Sequence, residues 1–125
     1  VLANPSKSPL FSPEERVTLI ENQFKRNKRV KALAFDGLLV SFAKKIGAKT
    51  IIRGLRAISD YDYETQMALT NRKLAPKLET VFLVAREENS YISSTVVKQV
   101  AKYGGDVSGF VPKIVEKALR NVFDR

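Results

Sequence analysis

Short apolar runs typical of strands alternate along the chain with apolar residues at helical spacing. Strands are predicted at residues 1–3, which end a strand, at 30–35, at 50–52 and, most clearly, at 80–84. Because strands and helices alternate, the pattern predicts parallel strands that are joined by helical crossovers. The predicted fold class is therefore α/β, with a Rossmann-like, doubly wound parallel sheet.

The predicted helices carry sequence signals at their ends. The first begins at Ser12, where Pro13 suits the first turn and Glu15 is placed to complete a capping box. Gly47 ends the second helix, and a third follows over residues 60–73. The last two helices are predicted to run from Ser93 or Ser94 to Gly104 and from Pro112 onward, with a polar loop over residues 85–92 before them.

Length and composition indicate one globular domain over residues 1–125. The chain is 44% hydrophobic, which at this length allows about two thirds of the unfolded surface to be buried. It contains no Cys and no His, which excludes disulfides, thiolate nucleophiles, Cys/His zinc sites and Ser-His-Asp triads within these residues. No apolar run reaches the roughly 18 to 20 residues of a membrane span, so we expect a cytoplasmic protein without a membrane partner.

The chain is basic, with 22 Lys and Arg against 13 Asp and Glu, a net charge of +9. Its densest cluster is Lys25, Arg26, Lys28, Arg29 and Lys31. We interpret this cluster as a solvated helix end, because cations favour the negative pole of a helix and no aromatic residues are interleaved. The alternative is a non-catalytic basic module that binds RNA or another polyanion there. We expect phosphate ligands rather than a nucleic-acid partner.

Candidate phosphate-binding residues follow the predicted strands, at the edge where open α/β sheets bind ligands. Lys7 follows the first strand, Arg53 and Arg56 the third, and Ser93-Ser94-Thr95 the fourth. Guanidinium groups bind phosphate oxygens, and Gly54 lets the backbone approach a ligand closely. Alternatively, the two arginines are solvated or paired with carboxylates. The hydroxyls are expected to cap a helix, a role compatible with phosphate binding at its N-terminus.

Carboxylates lie early in the third predicted helix. Asp60 and Asp62 are expected to interact with the helix dipole, and Glu64, one turn after Asp60, is placed to accept from a ribose or adenine. Leu38 and Leu39 are expected in the core. No general base is evident, which favours phosphoryl or nucleotidyl transfer to a nucleophile that is already ionised, where positioning and charge neutralisation suffice.

Motifs along the whole chain resemble those of the phosphopantetheine adenylyltransferases. Each is weak alone, but their order and spacing are specific. They are Asn4-Pro5-Ser6-Lys7 with Phe11 and Glu14-Glu15-Arg16, Phe35-Asp36-Gly37-Leu38-Leu39, Ile52-Arg53-Gly54-Leu55-Arg56-Ala57 with Asp60 and Tyr63-Glu64, Asn71-Arg72, Ser90-Tyr91-Ile92-Ser93-Ser94-Thr95 and Gly105-Asp106-Val107. The resemblance implies a nucleotidyltransferase fold and transfer of the adenylyl group of ATP to 4′-phosphopantetheine, which gives dephospho-coenzyme A and pyrophosphate.

The resemblance also implies roles for individual residues. Lys7 and Arg56 are implied to stabilise charge during catalysis. The implied 4′-phosphopantetheine site is formed by Lys7, Leu39, Arg53 and Asn71. The implied ATP site is formed by Gly54, Leu55, Arg56, Glu64, Asn89, Ser90, Tyr91, Ile92, Ser93, Ser94 and Thr95. Mg²⁺ is the implied cofactor and a homohexamer the implied assembly.

The chain departs from the family pattern in two places. Asn89 stands where family members often have an aromatic residue, which puts a stacking contact in doubt. The family's Thr/His-x-Gly-His motif, whose second histidine is credited with stabilising the transition state, is absent, and the only Met is Met67. We therefore expect an upstream segment that carries this motif and the central strand of a sheet of order 3-2-1-4-5. Without that strand, two pairs of strands would keep unpaired inner edges, and the 125 residues alone could be inactive.

Overall fold

The structure, a computed structural model, describes residues 1–2 and 8–124, without the side chains of Ile58 and Ser59. Helices and strands alternate through its middle part, as the sequence predicts. The elements are α1 (Pro13–Gln23), α2 (Leu39–Lys45), β1 (Thr50–Leu55), α3 (Ile58–Leu74), β2 (Glu79–Val84), α4 (Glu87–Ser90), α5 (Ser94–Lys102) and α6 (Lys113–Phe123).

The chain forms two compact units. Unit 1 comprises Val1–Asp36 and Ile92–Arg125, and unit 2 comprises Gly37–Tyr91. Unit 1 contains α1, α5 and α6, whereas unit 2 contains both named strands with α2, α3 and α4.

Unit 2 is built on a parallel pair of strands. β1 and β2 pair in register from Thr50 opposite Glu79 to Leu55 opposite Val84. A parallel pair needs a crossover connection, and α3 provides it and packs on both strands. Both predicted strands and the α/β class are thus confirmed. The core of this unit contains four buried residues, namely Val40, Ala43, Ala75 and Leu78.

One core prediction in unit 2 is wrong. Leu38 is 62% exposed, because it is the N-cap of α2 and precedes the face that packs inward. Leu39, the first residue of the helix, is half-buried. The inward face is instead formed by Val40 and Ala43, which are 4% and 3% exposed.

Unit 1 packs α5 and α6 together around Val97, Val107 and Leu119. At its edge, Leu2 and Phe35 form a parallel bridge. The Phe35 backbone N–H donates to the Val1 carbonyl over 3.0 Å. The predicted strand over residues 30–35 is wrong for residues 30–34. The Val1 N-terminus donates to the Leu33 carbonyl over 2.6 Å, but among the described residues this pairing forms only a single bridge, at Phe35, and a strand needs a paired backbone along its length.

The helix-end signals were predicted well. Ser12 accepts from the Glu15 backbone N–H over 3.2 Å, and the Glu15 carboxylate accepts from the Ser12 N–H over 2.7 Å, which completes the capping box. Gly47 and Gly104 have φ of 71° and 72°, the left-handed conformation that ends many helices. The short helix α4 lies where a loop was expected.

The basic cluster of residues 25–31 lies in exposed turns directly after α1. Its position after a helix end agrees with the interpretation as a solvated surface. The strand that was expected to follow this cluster is absent from the described residues 30–34, as noted above.

Candidate functional site

The candidate site of unit 2 lies at the carboxyl end of β1. β1 ends at Leu55 and α3 begins at Ile58, so only Arg56 and Ala57 connect them. This short connection places the first turns of α3 beside the end of the strand. Residues from a strand end and a helix start are thereby brought together, as is usual for ligand sites in open α/β sheets.

Arg53, within β1, forms a two-point ion pair with Glu64 of α3. Its Nε and Nη2 atoms donate to the two Glu64 oxygens over 2.7 and 2.6 Å. The Glu64 side chain is only 12% exposed, whereas that of Arg53 is 46% exposed. The hydrogen bonds that Arg53 donates to Glu64 raise the pKa of Arg53 above its already high ordinary value, so this guanidinium group is always charged.

Arg56, directly after β1, is held by Asp60 in the first turn of α3. The Asp60 Oδ2 atom accepts from the Arg56 backbone N–H over 3.1 Å and from the Arg56 Nε–H over 3.3 Å. The backbone N–H of Arg56, followed by its side chain, lowers the pKa of the Asp60 carboxyl below its usual range. Asp60 is therefore ionised at neutral pH.

The two carboxylates that bind these arginines, those of Asp60 and Glu64, lie on one face of α3. Asp60 and Glu64 are four residues apart in α3, so they lie one above the other on the same face of the helix. Each takes one arginine of the Arg53-Gly54-Leu55-Arg56 segment. The structure thus shows the carboxylate pairing that was the alternative interpretation for these arginines, and phosphate binding by their remaining N–H donors stays a prediction. These carboxylate partners were not predicted from the sequence, although the four-residue spacing of Asp60 and Glu64 after a two-residue connection was a signal for them.

Gly54 lies between the paired arginines and is not required by the fold. Its φ is outside the left-handed region, and a Cβ atom built on it meets no heavy atom within 4 Å. Neither backbone conformation nor packing among the described residues demands glycine here. This agrees with the prediction that Gly54 serves close approach of a ligand.

Other predicted site residues of unit 2 lie on α2, α3 and α4. Asn71 lies in the second half of α3 and is buried, at 8% exposure. Leu39 begins α2, Asn89 and Ser90 end α4, and Tyr91, at 65% exposure, is its C-cap. The contacts that these residues make within the protein do not identify a ligand. Lys7 lies outside the described residues.

Unit 1 contains the predicted site residues 92–95. Ser93 is the N-cap of α5 and accepts from the Val96 backbone N–H over 3.3 Å, which confirms the predicted capping role. Ser93 and Ser94 also line a mainly apolar cavity of about 400 Å³ that is bordered by Arg16 and Lys98. The helix start and the two cationic side chains are the parts of this mainly apolar cavity that suit an anionic ligand.

Among residues 1–2 and 8–124, no three acidic side chains lie close enough together to hold a metal ion. At the candidate site, the carboxylates of Asp60 and Glu64 are bound to arginines. Within the same residues, every helix is too short or too polar to cross a membrane.

A family model described as cytidylyltransferase-like matches residues 1–100. The chain is also similar to proteins named phosphopantetheine adenylyltransferase. It is 53% identical over 124 residues to that of Lachnoclostridium phytofermentans, covering 99% of this chain and 76% of the relative. The relative from Alkaliphilus metalliredigens is 53% identical over 119 residues, covering 95% of this chain and 76% of its own length.

A third relative, from Caldanaerobacter subterraneus subsp. tengcongensis, is 49% identical over 125 residues, covering all of this chain and 78% of the relative. The chain thus spans about three quarters of each of these curated relatives. Identities near one half over nearly the whole chain agree with the resemblance of the motifs. The chain belongs to the cytidylyltransferase-like family and, within it, to the phosphopantetheine adenylyltransferases.

Proposed function

We propose that this protein transfers the adenylyl group of ATP to 4′-phosphopantetheine, giving dephospho-coenzyme A and pyrophosphate. The observation that carries the proposal is the pair of guanidinium groups at the end of β1, each held by a carboxylate of α3. The identity of the two substrates is inferred from family membership, because the relatives are named for this reaction.

The geometry supports phosphate binding by Arg53. Within the described part of the chain, Glu64 takes two of the five N–H donors of the Arg53 guanidinium group. The remaining donors lie on a side chain that is 46% exposed. Arg53 can therefore bind a phosphate while Glu64 keeps it oriented, which costs less side-chain entropy than ordering a solvated arginine.

The reaction needs orientation and charge neutralisation. A phosphate oxygen of the acceptor attacks the α-phosphorus of ATP, the bond from that phosphorus to the oxygen bridging to the β-phosphorus breaks, and pyrophosphate leaves. In the proposal, Lys7 and Arg53 hold the attacking phosphate, and Arg56 neutralises charge on the ATP phosphates. No general base is required because the acceptor phosphate is already ionised at neutral pH.

The remaining predicted residues complete the proposed site. Leu39 and Asn71 contact the acceptor. The proposed ATP site contains Gly54, Leu55, Arg56, Glu64, Asn89, Ser90, Tyr91, Ile92, Ser93, Ser94 and Thr95. Both Glu64 oxygens accept from Arg53. Glu64 therefore has two proposed roles, since it holds Arg53 in place and also takes part in the ATP site.

The expected Mg²⁺ does not fit a resident site among the described residues, since they contain no cluster of three acidic ligands. Mg²⁺ commonly binds proteins through substrate phosphates rather than an all-protein cage. It belongs to the proposal only as an ion that accompanies the ATP phosphates, and no step above depends on it.

The test is the adenylyl-transfer assay on the full-length protein, with formation of dephospho-coenzyme A measured by chromatography. We expect Arg56→Ala to impair use of ATP and Arg53→Ala to impair use of the acceptor, each lowering kcat/KM for that substrate by about a hundredfold or more. Arg72→Ala is the matched control, because Arg72 is also on unit 2 and paired with a carboxylate, Glu79, over 3.2 Å. Normal turnover and acceptor affinity in Arg53→Ala would contradict the assignment of that residue.

A homohexameric assembly and a cytoplasmic location also belong to the proposal, and both are supported by family resemblance. Sedimentation of the full-length protein tests the first: a monomer at micromolar concentration would contradict it. Fractionation of cells tests the second.

A further inference from the structure

We propose that Asp60 is a positioning residue for Arg56, whose guanidinium group it orients for the phosphates of ATP; this inference rests on the function proposed above. Asp60 is not among the residues for which the family resemblance implies a role. Its contacts to Arg56, described above, involve both the backbone and the side chain of that arginine.

The position of Asp60 in α3 explains only one of these contacts. Ala57 is the N-cap of α3 and has no side chain that could cap the helix, so Asp60, the third helical residue, is where a carboxylate can reach back to a preceding N–H group. The backbone contact with the N-cap residue Ala57, which helps to lower the pKa of Asp60, serves this purpose together with the contact with the Arg56 N–H. The contact with the Arg56 Nε–H does not, because it satisfies no backbone group of the helix.

The equivalent residue of α1 shows what a cap alone requires. Glu15 is also the third residue of its helix, and its carboxylate accepts from the backbone N–H of Ser12 over 2.7 Å. That contact completes the capping box without an arginine side chain. The contact between Asp60 and the Arg56 guanidinium group is therefore additional to capping.

The double contact restricts Arg56 at both ends of its side chain. Because one oxygen atom binds the backbone N–H and the Nε–H of the same residue, the intervening carbon chain must fold back toward α3. An arginine that is ordered before ATP arrives loses fewer rotamers on binding. Asp60, as an anion, cannot itself bind phosphate favourably, which leaves orientation of Arg56 as its contribution.

The experiment compares Asp60→Asn with the wild-type full-length protein in adenylyl transfer. Asparagine keeps an oxygen for the Arg56 N–H but loses the charge that holds the guanidinium group. We expect KM for ATP to rise, or kcat/KM for ATP to fall, by about ten- to hundredfold, with KM for 4′-phosphopantetheine within about twofold of wild type. Asp60→Glu should recover part of the loss. Asp62→Asn, two residues away on α3, is the matched control and should behave as wild type.

A double-mutant cycle separates positioning from a structural role. If Asp60 acts through Arg56, Asp60→Asn should cause little further loss in an Arg56→Ala background, whereas independent roles would give additive losses. Additive losses, an unchanged kcat/KM for ATP in Asp60→Asn, or equal losses for both substrates would each overturn the inference while leaving the proposed function intact. A wild-type protein that neither binds ATP nor forms dephospho-coenzyme A would overturn both.

Discussion

Replacing Gly54 with alanine should stabilise the fold and at the same time lower the activity. Gly54 lies inside β1, opposite Leu83 of β2, between the two arginines of the candidate site. A fold usually requires glycine at a position for one of two reasons: a side chain there would clash with a neighbouring atom, or the backbone has a positive φ. At Gly54 neither applies.

The effect on stability follows from these two observations. Glycine in a strand is destabilising by roughly 0.5 to 1 kcal/mol relative to alanine, because its unfolded chain has more conformational freedom to lose. Since the added Cβ meets no atom within 4 Å, no steric penalty offsets this gain. We expect Gly54→Ala to be more stable than wild type by about 0.5 to 1 kcal/mol, a rise in Tm of about 2 to 5 °C for a chain of this size.

The effect on activity should have the opposite sign. If a ligand contacts the backbone at Gly54, the methyl group occupies space that the ligand needs, and overpacking of this kind costs about 1 to 3 kcal/mol. This corresponds to a fall in kcat/KM for ATP of about 5- to 150-fold. The measurements are thermal unfolding followed by circular dichroism and steady-state adenylyl transfer.

Gly109→Ala is the matched control for this experiment. Gly109 also has no positive φ and a Cβ position with no neighbour within 4 Å, but it lies in a turn of unit 1 outside the candidate site. It should show a similar gain in stability with unchanged kinetics. The reasoning is refuted if Gly54→Ala is less stable than wild type, which would mean the fold requires the glycine, or if its kcat/KM for ATP is unchanged.

Three further predictions concern stability. Ser12→Ala removes the side chain that caps α1 and should lower the free energy of unfolding by about 1 kcal/mol in urea denaturation; no loss would show that the capping box contributes nothing. Leu119→Ala should cost about 2 to 5 kcal/mol in the same assay, because Leu119 is 2% exposed in the core of unit 1; a loss below about 1 kcal/mol would contradict that packing. The Ser108 N–H and hydroxyl donate to the Asp106 carboxylate and lower its pKa in the folded protein below the ordinary value of 3.8. Ionised Asp106 therefore stabilises the fold above pH 3.8, and this stabilisation is lost as the pH falls through the pKa of Asp106 in the folded protein. The Tm difference between wild type and Asp106→Asn should therefore shrink below about pH 4, and a pH-independent difference would refute this.

Local signals in the sequence predicted the helix ends well. The capping box at Ser12, the glycines at 47 and 104 and the cap at Ser93 all depend on neighbours within a few residues, and all were confirmed. The α/β class and the parallel pairing of the two named strands also followed from the alternation of patterns.

Features that depend on distant partners were harder to predict. Residues 30–34 have the composition of a strand, but their described pairing with residues 1–2 is limited to the hydrogen bond from the Val1 N-terminus to the Leu33 carbonyl, which no local pattern reveals. Leu38 has an apolar side chain, yet its position at the N-cap leaves it exposed. The partners of Arg53 and Arg56 depend on the angle at which α3 leaves β1, so only the possibility of carboxylate pairing could be stated from the sequence.

The pairing of both arginines has a consequence for selectivity. Arg53, Glu64, Arg56 and Asp60 together carry two positive and two negative charges, so this part of the surface is neutral. Two unpaired guanidinium groups would attract sulfate, RNA phosphates or any other polyanion by charge alone. A neutral cluster attracts these polyanions only weakly. It binds more tightly a ligand whose oxygen atoms match the directions of its N–H donors. The abundant anions of a cell should consequently compete poorly with the intended nucleotide.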